Sequence, residues 1–414
     1  MISKKTIKMY KNKILNLIVL LLFTLNTAFS QWNQTAGLVG VNCQRFVNLG
    51  NTTFVGTNAN GIWKSTDGGL SWTQCNNGLN PNTDYSITEL AILGSNTIIA
   101  ATYDNGVFKS NDNGANWTNI TGTLPASTTF PVTAITANST MIIAGVESQG
   151  IYYSIDSGTT WTQANSGWTT NMFYRQLLIV GSDVYACSQD GVFKSSISSF
   201  LWTSVTNGLP GLPPSIRRIY NDNNTLYLGT STNGIYKSID HAANWTSLNT
   251  TLTQGFRVSS ILEKNDTLYF ASNGAANNVY MSPKNTINWS LVATGLASSA
   301  NDIIFSNSNL LAATGADGPY IFSSITSNID ENTSSNLQIN IYPNPFSSQS
   351  TIIFSQLQVN TAVKLFDIQG NEIKSINFSG TKLIIEKEQL VNGLYFIKTI
   401  DNNNAVVNKK IIVE

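Results

Sequence analysis

Polar residues that open short apolar runs are where chemistry could lie in this sequence. Arg45, Glu89, Thr133, Gln176, Arg217, Ser259 and Asp302 each stand at the start of such a run. Tyr103, Asp104, Glu147, Gln189, Asp190 and Asp317 follow a second run in their own stretches of chain. Arg45, Glu89, Arg217 and Asp302, gathered with Asp104, Glu147 and Asp190, could bind a polar ligand such as a glycan by charge-assisted hydrogen bonds. Acids about 5–10 Å apart could instead act as a glycosidase pair. Other chemistry has little to draw on. His241 is the only histidine, which leaves almost nothing for a Ser-His-Asp triad or a multi-histidine metal site. No cofactor and no metal are expected. Cys43, Cys75 and Cys187 are too few, and odd in number, for a disulfide framework.

The elements that must position these residues are visible as repeats. Gly61 to Trp72 (GIWKSTDGGLSW) returns as Gly106 to Trp117 (GVFKSNDNGANW) and Gly150 to Trp161 (GIYYSIDSGTTW). Weaker copies end at Trp202, Trp245 and Trp289, and Gly318 to Ser327 begins a copy that stops early. The tryptophans at 32, 72, 117, 161, 202, 245 and 289 are spaced 40 to 45 residues apart. That period suits four short strands and their turns, one propeller blade. Trp32 to Leu38 matches a fourth strand with no strands before it, while the last copy has three strands and no fourth. The N-terminal strand is therefore expected to complete the C-terminal blade, closing a seven-bladed β-propeller over residues 31–327 and leaving no open sheet edge.

The turn before each tryptophan carries Ser-x-Asp-x-Gly-x-x-Trp. It is complete at Ser65, Asp67, Gly69, Trp72, at Ser110, Asp112, Gly114, Trp117, and at Ser154, Asp156, Gly158, Trp161. Asp240 and Trp245 keep most of it, with Ala242 in the glycine place. This resembles the Asp-box, or bacterial neuraminidase repeat, family. The motif has a local physical reason. Asp and Ser oxygens accept backbone N–H groups across a tight turn, glycine admits positive φ, and the indole fills the gap between sheets. Catalysis does not need one group several times around a ring, so these residues read as structural. Sialidases share the Asp-box but clamp a carboxylate with three arginines. The repeats hold Arg45, Arg175, Arg217, Arg218 and Arg257. Arg175 and Arg257 read as out of register with the ring, and alternation turns Arg218 away from the channel. That pattern, with seven blades in place of six, argues against a sialidase. The related xyloglucan-degrading enzymes work in a cleft between two propellers, and this chain holds one.

The two ends of the chain read as export signals. Lys4, Lys5, Lys8, Lys11 and Lys13 precede the apolar run Ile14 to Leu25 and the small residues before Gln31. This is the layout of a cleaved signal peptide over residues 1–30, with the cut after Ser30. Without those lysines the chain holds 18 basic against 23 acidic residues, a net charge of −5, which gives no attraction to nucleic acid. No later stretch is apolar enough to span a membrane as a helix. Charged residues make up only 11% of the chain and hydrophobic ones 42%, so a large core can form. Residues 328–338 read as a polar linker, and 339–414 as a small Ig-like β-sandwich of six or seven strands.

Within that tail, Tyr342-Pro343-Asn344-Pro345-Phe346, Leu365-Phe366-Asp367, Gly393-Leu394-Tyr395 and Lys409-Lys410-Ile411-Ile412-Val413 stand in order. They resemble the C-terminal sorting domain of type IX secretion. The resemblance implies passage through the periplasm and recognition by an outer-membrane translocon. It also implies removal of the tail by a sortase-like peptidase, and release or surface anchoring. The whole reads as a secreted or cell-surface binding module for a glycan or protein. The alternative is a glycoside hydrolase or lyase using acids at the channel mouth.

Overall fold

The computed structural model describes residues 31–414 except 169–172, 211–214, 251, 253–255, 274–277, 324–338, 368–371, 389 and 401–405. The signal segment and the linker lie outside the described residues. The chain divides into one unit ending at Ser324 and a second beginning at Ile325.

The first unit is all-β. Seven four-stranded antiparallel sheets follow one another, and six of them are built from consecutive strands. Sheet two is typical: Ile87–Leu93, Thr97–Thr102, Val107–Ser110 and Thr118–Asn119. The innermost strands of sheets one to seven begin at Cys43, Ile87, Val132, Tyr174, Ile216, Val258 and Ala300. Each packs on the next, and the seventh packs on the first. The seventh sheet takes its outer strand from the chain's start. Gln31–Gln34 pairs with Pro319–Ser323, placing Trp32 opposite Phe322. This is the closed seven-bladed propeller that the lone leading strand implied. Closure pairs the two ends of the repeat array and removes the free edge that an open array would present.

Burial explains the repeat. The second strands are sealed by sheets on both sides, so Thr52–Thr57 and Thr97–Thr102 are buried at every position. Each repeat tryptophan fills the wedge between its own sheet and the one before it. From Trp117 onward its indole N–H donates toward that earlier sheet: Trp117 Nε1 to the Cys75 carbonyl at 2.7 Å, Trp202 to Ala164 at 2.7 Å, Trp289 to Leu248 at 2.8 Å; the Trp32 indole N–H is buried without a partner. Trp72 donates to Thr35 Oγ1 at 3.0 Å. The N-terminal segment thus stands in the place of a preceding blade.

The Asp-box turns share one hydrogen-bond pattern. Ser65 Oγ donates to Asp67 Oδ1 at 2.7 Å and accepts the Gly69 N–H at 2.8 Å, while Asp67 Oδ1 accepts the Ser71 N–H at 3.0 Å. The same bonds recur at Ser110, Asp112 and Gly114 and at Ser154, Asp156 and Gly158. They survive at Ser238 and Asp240, where Ala242 adopts φ 70° in the glycine place. His241, beside it, is exposed. The three cysteines are buried free thiols.

Among the described residues the second unit is a sandwich-like sheet of five strands, where six or seven were expected. The alternating runs that begin at Thr351 and at Ala362, which read as two strands, belong to one, Gln349–Phe366, which pairs along its length with Glu372–Glu386. The register between them slips around Gln358. The first half of the long strand pairs with Ile339–Tyr342 and the second with Gly393–Ile400, so side chains from both halves meet in one core. The tail motifs interlock. Asn344 Nδ2 donates to the Lys410 carbonyl at 2.9 Å, and its Oδ1 accepts the Ile412 N–H at 2.8 Å. Phe346 is buried and pairs with the same final strand, Val406–Val413. Tyr395 is buried with its hydroxyl on the Val391 carbonyl at 2.9 Å, while Lys410 faces solvent.

Candidate functional site

Every innermost strand carries the same irregularity one residue after its start. The pairing register jumps between its first and third residues in all seven sheets. The first residue after the jump is Arg45, Glu89, Ala134, Gln176, Arg218, Ser260 and Asp302 in turn. Four of these are the residues read from the sequence. In three sheets the position lies one residue later than expected: Ala134 replaces Thr133, Arg218 replaces Arg217 and Ser260 replaces Ser259. The hairpins that fix the alignment turn on Asn223 in sheet five and on Asn265-Asp266 in sheet six, at positive φ without glycine.

Arg218 therefore does not turn away from the channel. It is 6% exposed and joins four sheets. Its Nη1 lies 3.1 Å from Glu89 Oε2 and 3.2 Å from the Arg175 carbonyl, and its Nε lies 3.0 Å from the Ser259 carbonyl. Glu89 belongs to sheet two and Arg218 to sheet five. No two sheets of a seven-membered ring are further apart, so this ion pair crosses the channel. Arg45 Nε approaches the same Glu89 oxygen at 3.4 Å. Burial pushes the Glu89 carboxyl above the ordinary range, Arg45 pulls it back, and the nearby Asp302 adds to the rise.

Asp302 has a different role. Its Oδ2 accepts the Phe46 N–H at 2.8 Å, tying sheet seven to sheet one. Its Oδ1 accepts Ser260 Oγ at 2.6 Å and its neighbour's N–H, that of Ile303, at 3.0 Å. Gln176 makes the same kind of link, accepting the Ile219 N–H at 2.7 Å. Burial raises the Asp302 carboxyl, opposed by Arg45 and by these donors.

The ion pairs separate two cavities. One, of about 640 Å³, runs along the channel and is lined by Glu89, Gln176, Ser260 and Asp302. The other, of about 350 Å³, is the mouth, where inner strands begin and second strands turn into third. Arg45 and Arg218 line both. Arg175, Arg217, Glu147, Tyr103 and Phe173 line the mouth as well. Asp104 and Asp190 lie on loops of that face but do not line the cavity. The Asp190 N–H donates to Ser188 Oγ at 3.1 Å.

The sequence reading missed how the arginines converge. Arg175 is out of register with the ring, yet it lines the same mouth, and Arg257, also out of register, lies exposed close by. Burial lowers the Arg217 guanidinium to about 9, followed by the influence of Arg257, Arg175 and Arg45. Arg175 is lowered by burial and by Arg257. The chain has 23 basic residues, of which five are arginines; four of them line the mouth, and the exposed Arg257 acts on two of those four. The signal was available in the sequence as a count: arginine is absent from every other part of the chain. The register argument against a carboxylate clamp no longer holds, whereas the count of seven sheets does.

Comparison with known proteins gives the family. A model of the DUF6242 beta propeller domain matches residues 9–141 and 197–375. A model of the secretion system C-terminal sorting domain matches residues 340–414. No curated protein matches. Among solved structures, the chain is similar to the extracellular domain of BT4673 from B. thetaiotaomicron, at 13% identity and a TM-score of 0.57 over 93% of this chain. It is similar to PorZ of the type-IX secretion system of Porphyromonas gingivalis, at 15% identity and 0.51 over 89%. It is also similar to the GH74 enzyme of Niastella koreensis, at 15% and 0.56 over 78%. The chain spans 59% of the length of each, and the likeness is one of fold. Among the described residues no helix is long and apolar enough to cross a membrane. The sorting domain marks a protein that is secreted and displayed at the cell surface by type IX secretion. With more than half of its length matched, the chain belongs to the DUF6242 β-propeller family and ends in a type IX sorting domain.

Proposed function

We propose that the propeller is a binding module, displayed outside the cell, that takes a glycan or protein ligand at the channel mouth without turning it over. The observation that carries this reading is the partition itself. The mouth is a polar cavity of about 350 Å³ with a closed floor, within the usual size of a ligand pocket. Hydrolysis of a glycoside needs two carboxyl groups free to act on one bond. Glu89 is engaged by two arginines, and both oxygens of Asp302 accept hydrogen bonds from the scaffold. Of the acids weighed from the sequence, Glu147 alone lines the mouth.

The tail supplies the route. Its motifs are placed for recognition by the translocon, with removal by a sortase-like peptidase near residues 328–338. The test is a screen of the secreted protein against glycans, polysaccharides and surface proteins, with binding and product formation both measured. Binding without products is expected. Turnover that is lost in Glu89→Gln or Asp302→Asn would replace this reading with a glycoside hydrolase.

A further inference from the structure

We infer that the mouth recognises an acidic saccharide, gripping its carboxylate or sulfate group between Arg175 and Arg217, with Arg257 close by. This inference rests on the binding reading above and names the ligand class.

The first observation is the placement of charge. Among the described residues no lysine lines the mouth, whereas Arg45, Arg175, Arg217 and Arg218 do, and the fifth arginine, Arg257, lies near enough to lower Arg175 and Arg217. A guanidinium differs from an ammonium in its planar fork of donors, which matches two oxygens of a carboxylate or sulfate at once. A site that needed only positive charge, or only solubility, would not select arginine so strictly.

The second is the absence of a counter-charge. Glu89 pairs with Arg45 and Arg218. Among the described residues no carboxylate lies within ion-pair distance of Arg175, Arg217 or Arg257. Like charges held together in a half-buried cavity destabilise the fold, so an anion arriving there relieves a standing repulsion.

The third is the surplus of donors. Nε of Arg175, Nε of Arg217 and Nη2 of Arg218 are buried without an acceptor. Arg218 is more than nine-tenths buried, so its orientation is fixed by the scaffold before any ligand binds. Such preorganised donors are the ordinary preparation for an incoming oxyanion.

The lining favours a saccharide over an acidic peptide as the carrier. Tyr103 stands at the rim 47% exposed, a flat face on which a sugar ring can lie. Phe173 is covered by the Arg175 guanidinium at 5.2 Å, which stiffens that arginine. A cavity of this size takes the end of a chain or one branch, not an extended backbone.

The test uses the full secreted chain in titration calorimetry at 50 mM and 500 mM NaCl. The probes are a trigalacturonate, a sulfated trisaccharide, a neutral trisaccharide and hexaglutamate. At least one acidic sugar is expected to bind, more weakly at high salt, with the neutral one at least tenfold weaker. Arg217→Gln and, separately, Arg175→Gln should each weaken acidic-sugar binding at least tenfold. Arg217→Lys should restore only part of the loss. Unchanged or raised thermal midpoints in both Gln variants would show that they fold. Equal binding of neutral and acidic sugars, indifferent to either variant, would overturn the anion claim and leave the binding module standing. Binding of hexaglutamate alone would overturn the saccharide. Failure of all four probes, together with an empty glycan and protein screen, would overturn both readings.

Discussion

Arg218→Met should cost the propeller about 3–5 kcal/mol, the range for breaking a buried ion pair from one side. Methionine replaces the arginine stem but none of its donors. It removes the 3.1 Å contact to Glu89 and leaves the Ser259 and Arg175 carbonyls without Arg218 as a partner. Glu89 keeps Arg45 at 3.4 Å, which holds the loss toward the lower end. Glu89→Gln is milder, about 1–2 kcal/mol, because an amide oxygen still accepts a hydrogen bond and needs no counter-charge. The double variant should then be more stable than the sum of the two losses allows, with a coupling of about 2 kcal/mol or more. All nine tryptophans lie between Trp32 and Trp289, so their fluorescence during urea unfolding reads the propeller without the tail. At roughly 2 °C per kcal/mol for a large domain, the Arg218→Met thermal midpoint should fall by about 6–10 °C. A loss under about 1 kcal/mol, or two losses that simply add, would mean that the pair does not bind sheets two and five across the channel.

Four further expectations concern the turns and the tail. In Asp67 burial raises the carboxyl, but hydrogen bonds from Ser71 and Ser65 outweigh it and hold it at about 2. Hydrogen bonds from Asn116, Thr160 and Asn244 lead in holding Asp112, Asp156 and Asp240 at about 2. A carboxyl lowered by folding stabilises the native state above its ordinary value near 3.8 and loses that contribution as pH falls through about 2; the propeller's thermal midpoint should drop over that window, Asp112→Asn should flatten the drop, and a midpoint constant from pH 5 to pH 2 would contradict the assignment. At Ala242, relief of positive φ worth about 1–2 kcal/mol opposes loss of a buried methyl of about 0.8 kcal/mol and extra unfolded-state freedom of about 0.4–1 kcal/mol. Ala242→Gly should therefore stay within about 1 kcal/mol of the parent. Gly69→Ala places a Cβ 2.5 Å from Leu311 Cδ1 at φ +90° and should cost about 2–5 kcal/mol in the same urea assay. Deletion of residues 338–414 should leave the propeller in the periplasm, and normal appearance in the medium would refute the tail as the export signal.

The parts legible in the sequence are those that a propeller repeats. The tryptophan spacing revealed the sheets because each wedge between sheets needs the same large indole. The orphan strand at Trp32 revealed the closure because an unpaired edge must find a partner. The channel was harder to read. A one-residue jump at the start of every inner strand changes which side chain faces the axis, and a single slip exchanges Arg217 for Arg218. Period-two alternation then misplaces both, since it assumes a regular strand where there is a bulge. The arginine cluster escaped for another reason. Its members come from sheets one, four and five and from the residue before sheet six, so no window of sequence contains it.

Repetition and its loss also separate structure from ligand recognition. The Asp-box turns carry the same bonds in four sheets, because each turn solves the same local problem. The axis carries Arg, Glu, Ala, Gln, Arg, Ser and Asp in seven equivalent places. A purely structural axis could be built from one side chain used seven times, small and apolar or small and polar. Here Glu89 pairs with two arginines across the channel, while Arg175 and Arg217 line the mouth above it and, among the described residues, pair with no carboxylate. Replacing these two with neutral residues would relieve repulsion within the fold. Their presence in one place is therefore difficult to explain by stability, and an external anion supplies the ion-pair partner that Glu147, though it lines the same mouth, does not.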